Sequence, residues 1–203
     1  MDRLIEWAKE LQSLSQAGLY YEKNIFELER YQRIRDISAE MLAERTGLQV
    51  EIVKDLFCGD TGYQTPKVDT RAAIFDRDRI LLVQERDGKW AMPGGWCDFN
   101  LSPAENTIKE AKEEAGLNIK IEKLIAVQDR DKHNFPQYVY KVVKIFFLCR
   151  VLGGNFVPNS ETTDSRYFPV NNLPGLSEGK TSEEQVRLCY EASRSEYWEA
   201  RFD

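Results

Sequence analysis

Glu110, Glu113 and Glu114 stand three and four positions apart, a spacing that gathers three carboxylates on one patch of a helix. Like charges so placed oppose a helix by about 0.2–0.5 kcal/mol per pair unless a cation neutralises them. An all-oxygen patch suits Mg²⁺ or Mn²⁺, which proteins hold by a few carboxylates together with substrate phosphates and water. Directly upstream, Gly94 and Gly95 follow Pro93 at the end of an apolar run. Backbone N–H groups there can approach an anion closely. The combined chemistry is a divalent cation held between acidic side chains and a phosphate.

The element that must present these acids is marked at both ends. Ser102, Pro103 and Glu105 read as N-cap, first helical residue and capping-box partner, and Gly116 as the stop. Between them Ala104, Ile108, Ala111 and Ala115 are expected on one face, roughly opposite the glutamates.

The stretch resembles the signature of the Nudix hydrolases, a glycine, a loop and then an R-E-x-x-E-E-x-G helix. Here it runs Gly95, five residues, Leu101, seven residues, then Lys109-Glu110-Ala111-Lys112-Glu113-Glu114-Ala115-Gly116-Leu117. Two positions depart: the family usually has glutamate at Leu101 and arginine at Lys109, an ion pair that braces the loop. The three metal-ligand positions are kept. The resemblance implies a metal-dependent pyrophosphate hydrolysis with Glu110, Glu113, Glu114 and Gly94 at the metal. Catalysis falls to Glu113, Glu114 and a further acid from a later loop, for which Glu161 is the candidate. Arg71 and Arg86 are candidates to grip phosphate. Trp96, Phe99 and Tyr63 could hold a base or a quaternary ammonium, and His133, the only histidine, could contact substrate.

The chain has 203 residues, 42% hydrophobic and 31% charged, with a net charge of −6. That balance disfavours non-specific nucleic-acid binding. No apolar run approaches a membrane span and the charged N-terminus lacks a signal-peptide core, so no membrane partner is expected. Cys58, Cys97, Cys149 and Cys189 are scattered, as reduced cysteines in a cytoplasmic protein would be.

Helical spacing is read over residues 2–16, broken at Gly18, then Asn24–Arg45 and Val50–Phe57. Residues 1–57 are therefore an all-α N-terminal domain, 58–67 a linker and 68–203 the hydrolase domain. In the latter, VDTRAAIF and RILLVQER form a hairpin and Asn118–Asp129 a strand. Asp131–Gln137 is a polar loop, Tyr138–Leu152 a long strand and Ser165–Val170 a short one. A last helix over Thr181–Ser195 is capped by Thr181 and Glu184. The expected fold is α/β, a mixed sheet between helices, in agreement with the α/β/α sandwich the resemblance implies. The N-terminal helices point to a subgroup resembling CDP-choline and ADP-ribose pyrophosphatases, here a homodimer. The expected substrate is a nucleoside diphosphate joined to another moiety. RNA-end processing or exonuclease action on the same metal site, and a nucleotide sensor without turnover, remain alternatives.

Overall fold

The computed structural model describes residues 2–203, which divide into two compact units, 67–136 with 141–203 and 2–66 with 137–140. In the helical unit, α1 (Arg3–Tyr21), α2 (Ile25–Thr46) and α3 (Val50–Phe57) bury Ala8, Ala39, Leu42, Ala43, Val53 and Phe57 together. Asp2 caps α1 and Asn24 caps α2, and Gly47 ends α2 in the left-handed region. Gly18 does not break α1. It lies inside the helix, where a Cβ would stand 2.5 Å from the Tyr31 ring, so the missing side chain lets α2 pack close. Tyr138–Lys141 is likewise no strand. The Gln137 side chain accepts from the Asp2 N–H (2.7 Å) and donates to Glu6 (3.1 Å), Val139 packs on the helical core, and the Tyr140 hydroxyl donates to the Leu56 carbonyl.

The larger unit is built on a seven-stranded mixed sheet. Its strands are β1 (Lys67–Asp76), β2 (Arg79–Glu85), β3 (Trp90–Ala91), β4 (Leu117–Asp129), β5 (Val142–Gly154), β6 (Thr162–Pro169) and β7 (Arg201–Phe202). β1 runs parallel to β5, β5 antiparallel to β4, and β2 pairs antiparallel with β1, β3 and β6. Alternate residues serve opposite faces. Ala72, Ile74, Leu81 and Val83 pack on Ala111 and Ala115 of α4 (Pro103–Ala115). Ala73, Ile80, Leu82 and Phe146 pack on Val186, Cys189 and Ala192 of α6 (Glu183–Arg194). Helices on both faces explain why Ala72–Phe75 of β1 and Ile80–Val83 of β2 are continuous apolar runs.

Two local expectations change. The polar loop contains a helical turn, α5 (Arg130–His133), because Asp129 accepts from the Asp131 N–H and caps it. The cap of α6 is Ser182 with Gln185, one residue beyond the expected pair. Thr181 is fully buried and its hydroxyl instead accepts from the Met92 N–H at 3.0 Å.

A buried triad ties β1 to β5 and to the segment before the glycines. Arg71 donates to both Asp69 oxygens (2.8 and 2.6 Å) and to the Met92 carbonyl (3.1 Å). Lys144 Nζ donates to Asp69 Oδ1 (3.0 Å) and to the Lys180 carbonyl (2.7 Å). Burial opposes the charge on Asp69, but Arg71 and Lys144 outweigh it and hold the carboxyl below its usual range. Asp69→Ala would strand two buried cations. The expected loss is about 3–5 kcal/mol in urea denaturation, whereas a loss below ~1 kcal/mol would show that the triad relaxes freely.

Candidate active site

Residues 93–97 lie along β1 as an irregular added strand. Thr70 N–H donates to the Gly95 carbonyl (2.9 Å), Ala72 N–H to Pro93 (2.8 Å) and Cys97 N–H to Val68 (2.8 Å). Gly94 has φ 141°, and a Cβ there would stand 1.9 Å from the Thr70 carbonyl oxygen, so no other residue fits without moving β1.

Helix α4 begins with the complete Ser102/Glu105 capping box and Pro103, and ends at Gly116 with φ 69°. Its buried stripe is Thr107, Ala111 and Ala115, extended through Asn106 and Glu110, while Ile108 is 40% exposed. The acids are therefore not opposite the packed face. Glu110 is on its flank, turned toward the glycine loop, where its carboxylate would meet a Gly95 Cβ at 3.2 Å. Glu114 accepts from the Gly94 N–H at 2.7 Å. Glu113 is more exposed and pairs with Lys109.

Crowding and burial leave their mark on these groups. Desolvation lifts the Glu114 carboxyl to about 7, against the pull of Arg71 and of the Gly94 N–H. Glu110 is raised by burial too, with Lys109 opposing and Glu113 and Glu161 adding to the rise. Glu161 thus stands within the field of the cluster. Its loop is clamped to the end of α4: Asn159 donates to the Glu113 carbonyl (2.8 Å) and Thr162 to the Glu114 carbonyl (2.8 Å). Asn159 Oδ1 accepts the N–H groups of Glu161 and Thr162 (2.9 Å each).

The remaining candidates separate. Arg86 is exposed and donates to the Ser160 carbonyl (2.6 Å), beside Glu161. Arg71 is buried with its donors on Asp69 and Met92, so it supports the loop from below. Trp96 is half exposed and Phe99 fully exposed on the loop after the glycines. Tyr63 is exposed and belongs to the helical unit. His133 bonds Asp203 (2.7 Å) and faces Glu184 of α6, on the side of the sheet opposite α4. Lys180 escaped the sequence reading. It pairs with Glu85 at 2.7 Å and its charge acts on Glu114. Only its nearness to a capped helix start could have suggested it.

Among the described residues, no three acidic, histidine or cysteine side chains are arranged as a ready ligand set. The donor chemistry nevertheless fits a hard divalent cation. Glu110 and Glu113 already share one positive charge, the Lys109 ammonium, at 3.1 and 2.9 Å.

The family description "UDP-X-like, N-terminal oligomerisation domain" matches residues 2–57, and "NUDIX domain" matches residues 65–188. The chain is 39% identical over 191 residues to YjhB of Bacillus subtilis (strain 168), covering 94% of this chain and 92% of that one; YjhB is provisionally named an ADP-ribose pyrophosphatase. Among solved structures, an ADP-ribose pyrophosphatase from Streptococcus suis 89-1591 is 55% identical with TM-score 0.65, covering 68% of this chain and 100% of that one. A UDP-X diphosphatase is 31% identical with TM-score 0.64, and 98% of each chain is covered.

The raised Glu114 carboxyl sets a pH dependence for the protein in chelator. The folded state favours its protonated form relative to the ordinary value of 4.5, so its stabilising contribution is complete below 4.5 and is lost as pH rises through about 7. The stability difference between the parent and Glu114→Gln, followed by denaturation at several pH values, should fall across that window. A flat difference would refute the assignment.

Proposed function

The chain belongs to the Nudix family and is a Nudix pyrophosphohydrolase, and on that premise we propose that it is metal-dependent and splits a nucleoside diphosphate joined to a sugar, of the ADP-ribose type. The observation that carries this reading is the seat of α4 against the glycine loop, with Glu114 bonded to the Gly94 N–H and Glu110 beside Gly95. The names of YjhB and the Streptococcus suis enzyme favour an ADP-ribose-like substrate, and the UDP-X diphosphatase keeps other nucleoside diphosphate conjugates within the class.

Glu110, Glu113 and Glu114, with the Gly94 backbone, would hold Mg²⁺ or Mn²⁺. Such an ion supplies neutralising charge to the phosphates and lowers the pKa of bound water. Glu161, on its clamped loop, accepts the proton of the attacking water. The water oxygen bonds to one phosphorus, the bridging P–O bond breaks, and a nucleoside monophosphate and a phosphorylated partner leave. Arg86 and Lys180 offer positive charge to the diphosphate, and Trp96 and Phe99 offer faces for the base or sugar.

The helical unit, by the description its sequence matches, serves oligomerisation, and we take the assembly to be a homodimer. Sedimentation of the intact chain should give twice the protomer mass; a monomer at micromolar concentration would end that part of the reading. No helix among the described residues is long and apolar enough to cross a membrane, which is compatible with action in the cytoplasm.

Glu113→Gln and Glu114→Gln should each lower kcat by about 10²–10³-fold on ADP-ribose with Mg²⁺ or Mn²⁺, with unchanged far-ultraviolet circular dichroism. Products identified by mass should be AMP and a sugar phosphate. Full activity of both variants, or turnover undiminished in chelator, would reject the metal site.

A further inference from the structure

The two departures from the family signature are explained by one side chain. Leu101 cannot pair with Lys109, and its N–H instead donates to the Asp98 carbonyl at 3.1 Å. The acid that meets Lys109 from the loop is Asp98, three residues earlier, at 3.3 Å. Its backbone is pinned, since the Asp98 N–H donates to Asn106 Oδ1 (3.1 Å) and Asn106 Nδ2 donates to the buried Thr70 hydroxyl (3.0 Å). Lys109 Nζ therefore stands among three carboxylates, with Glu113 at 2.9 Å, Glu110 at 3.1 Å and Asp98 at 3.3 Å.

An ammonium has three N–H donors on one tetrahedral centre, so it can satisfy three acceptors at once. It is also a compact point charge on a flexible stem, whereas a guanidinium presents its donors in a rigid planar fork. Lysine at this position can leave Glu110 and Glu113 while keeping Asp98. Two of the carboxylates it occupies are those assigned above to the metal, and a divalent cation drawn to them repels an ammonium held at contact distance on the same groups.

We propose that Lys109 is an internal counter-ion, released by the incoming divalent cation from Glu110 and Glu113 onto Asp98, so that metal loading and the anchoring of the Trp96–Phe99 loop are coupled through one positioning residue. This rests on the metal-site reading of Glu110 and Glu113. Without metal, Lys109 offsets the repulsion within the cluster. With metal, its charge is committed to the loop, which is then braced only when the site is loaded.

The test is Mn²⁺ binding to the intact chain, measured by calorimetry and by the loss of the free-ion paramagnetic signal. Lys109→Met removes the competitor and should tighten Mn²⁺ binding about three- to fivefold, the scale of a partly exposed ion pair, while raising KM for the nucleotide substrate more than it changes kcat. Lys109→Arg keeps a cation and should return Mn²⁺ affinity to within about twofold of the parent. Asp98→Asn should leave Mn²⁺ affinity equal or weaker, because Lys109 then stays with the glutamates. A cooperatively melting Lys109→Met protein that binds Mn²⁺ no better than the parent would overturn the proposal, as would tighter binding in Asp98→Asn. Glu110→Gln and Glu113→Gln separate this from the reading beneath it. If both bind Mn²⁺ as the parent does, the metal site itself is misplaced. If they bind weakly while Lys109→Met is not tightened, only the counter-ion role fails.

Discussion

The structure depends on how closely the backbone of residues 93–97 lies on β1. The space at Gly94 is set by the Thr70 carbonyl, which leaves no room for a Cβ. With the loop fixed there, the Gly94 N–H points at α4 and Glu114 has a donor. The loop is held from beneath by Arg71 on the Met92 carbonyl and by Thr181 on the Met92 N–H. The Asp69–Arg71–Lys144 triad is thus a foundation for a loop whose outer surface does the chemistry. Buried charges are weak evidence of added stability; here they connect β1, β5 and the entry to α6 at one point under the site.

The acid cluster is an electrostatic problem that the apo protein solves locally. Burial pushes both the Glu110 and the Glu114 carboxyl toward the protonated form. Four groups oppose that: the Lys109 ammonium, the Gly94 N–H, and the more distant charges of Arg71 and Lys180. The balance leaves the carboxyls ready to exchange a proton or an ammonium for a stronger cation. Glu110 and Glu114 turn from the solvent side of α4 toward the glycine loop, while Glu113 stays exposed.

Elements fixed by short-range chemistry were readable in the chain. The Ser102–Glu105 box, Pro103 and Gly116 bound α4 as their types require, and the order of strands and helices marked a mixed sheet between helices. Readings failed where a distant partner decides. Thr181 looks like a cap, but Met92 takes its hydroxyl and the cap moves to Ser182. Gly18 looks like a break until Tyr31 is seen against it. Tyr138 and Tyr140 carry strand propensity, yet 137–140 is committed to the helical unit. Arg71, which the strand pattern leaves free to meet a phosphate, is taken by Asp69 two residues away on the same strand. The distant partners of Asn159, Thr162 and Lys180 have no local signature: the Glu113 and Glu114 carbonyls and the Glu85 carboxylate lie far along the chain.

The same logic accounts for a glycine at each limit of the α4 signature. Gly116 supplies the left-handed turn that ends the helix, but a Cβ there would also stand 2.1 Å from the Asn155 carbonyl oxygen. The end of α4 and the residues after β5 therefore meet backbone to backbone. This contact brings the 155–161 segment across the helix terminus, where Asn159 and Thr162 can take the carbonyls of Glu113 and Glu114 that the helix leaves open. Gly94 seats one loop beside the carboxylates and Gly116 seats the other. The acids between them need only helical spacing to meet both, so the spacing and the two glycines specify one geometry together. The contact between Lys109 and the loop is under a looser constraint, since any acid within reach of the ammonium can meet it, and Asp98 does so at 3.3 Å.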